Sequence, residues 1–153
     1  MENRTAQIAN ASPGQLIVIT YELILEALDE AQGQIPVKDE KSFKRSIESA
    51  QKLLRELMVS LDMSYDISND LMSLYSYINK IIIKGYVSQK KEPLMEASKL
   101  LTTLLEGWKQ AAALEDDNSP VIENAQQIYA GFTYGKGSLN ESVVEEKNRG
   151  FKA

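Results

Sequence analysis

Four long stretches of this sequence repeat apolar residues at alternating spacings of three and four, and this pattern strongly restricts the fold. The stretches cover about residues 13–35, 38–61, 66–87 and 93–114. Each one places an apolar stripe along one side of a helix. Because only short connections separate helices about 30 Å long, successive helices must pack as antiparallel neighbours. The sequence therefore predicts an all-α fold built on an antiparallel up-down four-helix bundle.

Local residue chemistry indicates where these helices begin and end. Ser12 is suited to be an N-cap, Pro13 then takes the first helical position, and Gln15 completes a capping box. Pro36 is expected to end the first helix, since proline disrupts a helix interior. Pro93 is expected to be the first residue of the fourth helix, where no N–H is required.

The composition changes after Leu114, where a run of acidic residues and asparagine indicates a linker. Ser119 and Pro120 then predict the start of a short fifth C-terminal helix, which Gly131 would end. Glycine, asparagine, serine and charged residues dominate from Phe132, as in flexible segments. The predicted organisation is an N-terminal arm over 1–12, a four-helix bundle over 13–114, and a linker, short helix and flexible tail over 115–153.

The composition also excludes several functions. The 153 residues include no cysteine and no histidine, so thiolate and imidazole chemistry, including most zinc sites, is excluded. The net charge of −5 argues against a nucleic-acid partner. No apolar run reaches the ~20 residues of a membrane span, and no secretion signal is evident. We expect a cytoplasmic protein that is not an enzyme and that binds no cofactor and no metal.

The predicted helices carry more apolar surface than a bundle needs to bury, since a surface helix typically has one apolar stripe about 100° wide. Aromatic residues suit a surface with one apolar and one wet side, and methionine adapts to varied partners. This surplus predicts a partner-binding groove. The candidate residues are Leu16, Ile19, Leu23, Met58, Met72, Tyr75, Ile82, Tyr86, Leu100 and Leu105.

The surplus apolar surface is also compatible with arrangements that involve no groove. The fifth helix or the N-terminal arm could cover it. It could also form a homodimer interface, so that the chain is a structural or regulatory bundle. A groove would instead take an amphipathic helix or an extended peptide from another protein. An enzyme would need carboxylates that converge in a pocket, whereas the acidic residues here fall at spacings typical of a solvent-facing helix surface.

Several segments resemble the flagellar secretion chaperone family, FliS. They are ASPGQLI at 11–17 with Tyr21, ELMVSLD at 56–62, NDL and LYSY within 69–77, and the leucine-rich stretch from Leu101 to Trp108. They occur in the family's order and at its separations. Together they extend the resemblance over about residues 5–114, whereas the tail differs from the family pattern.

The resemblance implies that the bundle binds the disordered C-terminal segment of flagellin in apolar grooves, prevents its premature polymerisation and aids its export. It also implies that Ile8 lies in an arm that covers part of this surface until flagellin displaces it. Tyr75 and Tyr77 stand in the family's Leu-Tyr-x-Tyr positions. Residues 1–5 lack the aromatic residues usual there. Other flagellar regulators or a co-chaperone could share the surface, and the chain could be a monomer or a homodimer.

Overall fold

The computed structural model describes residues 3–130, which form six helices and no β-strand. They are α1 (Arg4–Ala9), α2 (Pro13–Val37), α3 (Glu40–Val59), α4 (Asp66–Ser88), α5 (Lys91–Ala113) and α6 (residues 121–130). The four long helices correspond to the four predicted stretches, and α6 corresponds to the predicted short helix. The all-α prediction is confirmed.

The four long helices form a ring around one apolar core. Helix α2 packs against both α3 and α5, and α4 completes the ring against the same two helices. Each contributes fully buried side chains, such as Leu28, Leu54, Ile78 and Leu101. Burying a side chain of this size stabilises the fold by about 1.5–3 kcal/mol.

The start of α2 is fixed by the predicted capping box. The backbone N–H of Gln15 donates to Ser12 Oγ at 3.2 Å, and the backbone N–H of Ser12 donates to Gln15 Oε1 at 2.9 Å. Pro13 occupies the first turn. These contacts satisfy N–H groups that lack partners within the helix.

The two prolines do not mark helix ends where the sequence predicted them. Helix α2 continues through Pro36 to Val37, and Lys38 caps it in the left-handed conformation. Pro36 lies in the exposed last turn, so the loss of its N–H bond and the crowding by its ring disturb only the end of the helix. Helix α5 begins two residues before Pro93, which the first turn accepts because its N–H groups have no helical partner.

The predicted N-terminal arm contains the short helix α1, which folds back along α2. Asn3 Oδ1 caps it by accepting from the Thr5 N–H at 2.8 Å. The Arg4 guanidinium then contacts Glu26 at 2.7 Å and Glu22 at 3.6 Å, both on α2. The described part of the arm therefore lies against the bundle.

A turn between Asp116 and Ser119 leads into α6, which returns along α5. Asn124 Nδ2 donates to the Ala111 carbonyl at 3.1 Å, and Tyr129 Oη donates to the Leu104 carbonyl at 2.6 Å. These bonds fix α6 to the bundle at both of its ends. The predicted helix stop at Gly131 and the tail from Phe132 lie outside the described residues.

Candidate functional site

An apolar cavity of about 400 Å³ opens at the end of the bundle where α2 and α4 begin and α3 and α5 end. Its first wall is formed by the first two turns of α2, directly after the N-cap. Its second wall is the end of α3 and the connection to α4. The lining includes Pro13, Leu16, Ile17 and Thr20 from α2, Leu57 from α3 with Ser60 at its C-cap, Tyr75 from α4, Trp108 from α5, and Val121 and Ile122 from α6.

Gly14 lets α6 approach the start of α2 closely enough to become a wall of the cavity. Its backbone N–H donates to both carboxylate oxygens of Glu115, at 3.1 and 3.2 Å. A Cβ atom at this position would lie 2.9 Å from Val121 Cγ2 and 3.0 Å from Ala112 Cβ. The glycine and the adjacent Glu115 therefore hold the linker and α6 against α2.

Two tyrosines and a tryptophan form a buried polar network beside the cavity. Trp108 Nε1 donates to Tyr21 Oη at 3.0 Å, and the hydroxyls of Tyr21 and Tyr75 lie 2.7 Å apart. The two phenol rings meet edge to face, with 6.3 Å between centroids. Burial raises the pKa of Tyr75 to about 12 and raises the pKa of Tyr21 well above its usual value. Both hydroxyls are therefore neutral hydrogen-bonding groups near neutral pH.

The rim of the cavity carries negative charge. Glu56 at the end of α3 and Asp62 in the connection both line it. Hydrogen bonds from the Ser64 hydroxyl, at 2.6 Å, and from its backbone N–H, at 3.0 Å, lower the pKa of Asp62. The Asp62 carboxylate therefore stays charged under ordinary conditions. Neither acidic residue forms an ion pair with another part of the chain between residues 3 and 130.

Of the predicted partner-binding residues, the structure brings Leu16 and Tyr75 to this cavity. Leu16 lies at the surface and is 39% exposed, whereas Tyr75 is buried. Ile19 lies at a separate groove between α1 and α2. Ile8, on α1, is 43% exposed. Leu23, Met58, Met72, Tyr86 and Leu100 are half-buried on the four long helices, outside the cavity lining.

Two of the predicted groove residues lie in the core instead. Ile82 is fully buried and Leu105 is 5% exposed, so neither offers a surface to a partner. Ile82 follows Ile78 by one helical turn and faces inward with it, because α4 packs against two helices and buries a wide arc. Leu105 belongs to the same apolar core, since α5 packs against both α2 and α4.

The sequence interpretation did not assign Val121 and Ile122 to the site. It left open that the fifth helix could cover the apolar surplus. Helix α6 does cover part of the bundle, and α1 covers part of α2, so some of the surplus is buried within the chain. The missing information was the position of α6, which depends on contacts distant in sequence such as that between Gly14 and Val121.

Residues 3–130 contain neither a cluster of metal-ligating side chains nor a membrane-spanning helix. No group of three or more acidic side chains in this range is placed to hold a metal ion. No helix in the same range is both long and apolar enough to cross a bilayer.

Comparison with known sequences identifies the family. The sequence profile described as Flagellar protein FliS matches residues 1–115, which include α1 to α5. The chain belongs to the FliS family. It is similar to the flagellar secretion chaperone FliS of Bacillus subtilis, with 23% identity over 108 residues that cover 71% of this chain and 81% of that protein. Helix α6 lies outside the residues that the family profile matches.

Proposed function

We propose that this FliS-family chain is a cytoplasmic export chaperone for flagellin and does not act as an enzyme. It binds the disordered C-terminal segment of flagellin on its apolar surface, keeps that segment from polymerising and helps to deliver the subunit for export. The apolar cavity beside the capped start of α2 is the observation that carries this proposal, since it is preformed and partly open to solvent.

A holding role fits the physical character of this surface. A disordered segment that folds on binding typically buries 1,000–3,000 Å², and ordering it costs about 2–5 kcal/mol. The cavity and its surroundings can therefore bind flagellin without making release for export prohibitively slow. Holding and release of this kind need no nucleotide and no chemical step.

Co-purification tests the proposal directly. The full chain is mixed with flagellin from the same organism, either intact or without its C-terminal segment. Intact flagellin should be retained and the truncated form lost. Equal retention of both forms, or of neither, would contradict the proposal.

A pair of variants tests whether the cavity takes part. Leu16→Asp introduces a charge at the mouth of the cavity and should weaken binding at least tenfold. Val59→Asp introduces the same charge at an apolar residue of α3 that is 85% exposed and does not line the cavity. It should bind like the parent. Circular dichroism establishes that both variants are folded, and equal affinity of the two would place the binding surface elsewhere.

A further inference from the structure

Helix α6 adds a wall to the cavity that is not part of the family-matched region. Val121 and Ile122 face the cavity, whereas the profile match ends at residue 115. The helix is held by Asn124 at one end and Tyr129 at the other. The shape of the cavity is therefore a property of this chain that the family match does not account for.

The size of the cavity indicates what can enter it. A volume of about 400 Å³ lies within the ~300–1,000 Å³ range of ligand sites in proteins. It exceeds what one aliphatic side chain would fill. A partner helix presents apolar side chains three or four residues apart on the same face. The cavity therefore suits a pair of apolar residues separated by one helical turn.

The rim indicates the charge of the occupant. Glu56 and Asp62 border the cavity, and neither is paired with a lysine or arginine among residues 3–130. Opposite charge on a partner favours and orients binding, whereas acidic residues beside these carboxylates would be repelled. The chemistry of the rim therefore favours a segment with lysine or arginine next to its apolar residues.

We propose that the α6-walled cavity is a specificity pocket for a pair of apolar side chains, one helical turn apart and flanked by lysine or arginine. This inference rests on the proposed function, because it takes the flagellin C-terminal segment as the source of these residues. Helix α6 contributes selection among flagellin segments.

The first test fills the cavity from the α6 side. Ile122→Trp places a large side chain in the cavity, whereas Gln127→Trp places it on the exposed side of the same helix. Each full-length variant is titrated calorimetrically with a synthetic peptide of the flagellin C-terminal segment. We expect Ile122→Trp to bind at least tenfold more weakly and Gln127→Trp to bind like the parent.

The second test neutralises the rim. The double variant Glu56→Gln/Asp62→Asn removes two charges and preserves the side-chain acceptor for Ser64. Its control, Glu30→Gln/Glu48→Gln, removes the same charge from exposed sites on α2 and α3 outside the cavity lining. The rim variant should bind about threefold or more weakly at low salt, with a reduced salt dependence. Identical behaviour of the two double variants would overturn the charge preference.

Peptide variants complete the experiment. Alanine is substituted in turn for each apolar pair of the peptide. For one pair, the substitution should greatly weaken binding to the parent protein but should hardly change binding to Ile122→Trp. If the parent and Ile122→Trp bind the peptide equally well, the pocket proposal is contradicted, whereas the chaperone proposal is not. If the parent binds no flagellin peptide, the chaperone proposal fails and this inference fails with it.

Discussion

At the scale of single residues, Gly14 connects the start of α2 to the wall formed by α6. Alanine is normally favoured over glycine within a helix, by about 1 kcal/mol. Here a Cβ atom would displace Val121 and disturb the Glu115 carboxylate that caps the Gly14 N–H. At this position helix propensity favours alanine, whereas packing favours glycine. The contact distances indicate that packing dominates.

We predict that Gly14→Ala lowers the free energy of unfolding by about 1–3 kcal/mol, the usual cost of overpacking. The matched control is Gly33→Ala on the same helix, where an added Cβ meets nothing within 4 Å. That variant should gain about 0.5–1 kcal/mol. Urea denaturation measures both values, and a Gly14→Ala protein as stable as the parent would show that α6 moves away freely.

A second residue-scale prediction concerns alkaline solution. The folded-state pKa of Tyr75 is about 12, above the value of about 10 for an unfolded tyrosine. The unfolded chain therefore loses this proton first, so the free energy of unfolding should be unaffected below about pH 10 and should fall between about pH 10 and 12. Tyr21 acts in the same direction. Urea midpoints measured up to about pH 11 should decline less steeply in Tyr75→Phe, and an identical decline would argue against the buried network.

At the scale of helices, α1 is attached weakly enough to leave α2. The contacts of Arg4 with Glu22 and Glu26 are partly exposed, and exposed ion pairs are worth about 0–1 kcal/mol and are screened by salt. Residues 1–5 lack the aromatic residues that the family uses there, so charge supplies part of the attachment. Partial screening should therefore loosen α1 before it affects the bundle.

We predict that Glu26→Gln speeds amide exchange in residues 4–10 and leaves the thermal midpoint nearly unchanged. Glu30→Gln is the control, since Glu30 lies one turn further along α2 and forms no ion pair with Arg4. Added salt should mimic Glu26→Gln. Equal exchange in the two variants would mean that the Arg4–Glu26 ion pair does not help to hold the arm.

Removal of the arm gives a further element-scale prediction. Ile19 lies in the groove between α1 and α2, so deletion of residues 1–11 should expose apolar surface. If α1 competes with flagellin, the deletion should tighten binding of its C-terminal peptide by several-fold. Unchanged affinity of a folded deletion variant would count against this competition.

The sequence predicted local features of these helices better than their surroundings. The capping box at Ser12 involves residues three apart, so its chemistry is readable from the chain alone. Pro36 misled the prediction because a proline in the last turn disturbs only the end of a helix and need not stop it at the preceding residue. Ile82 and Leu105 were predicted to line a groove but are buried, because the buried arc of a helix depends on how many neighbours pack against it. The wall formed by α6 could not be predicted in this way, because it depends on a contact between Gly14 and Val121, which are more than 100 residues apart.

At the scale of the whole molecule, the fold separates a tightly packed core from one open end. The ring of four helices buries its apolar stripes, while the α2 start, the α3 end and α6 surround a cavity with an acidic rim. The net charge of −5 matches the sign of this rim. An acidic protein with a preformed apolar cavity is suited to bind a disordered segment that combines apolar and basic residues.

Hydrogen exchange of the full chain, with and without flagellin from the same organism, tests the central claim most directly. If flagellin binds at the open end of the bundle, exchange should slow in residues 14–20, 56–62 and 121–123. The opposite end, around residues 84–94, should be unchanged. Protection confined to that opposite end, or no protection at saturating flagellin, would contradict the account.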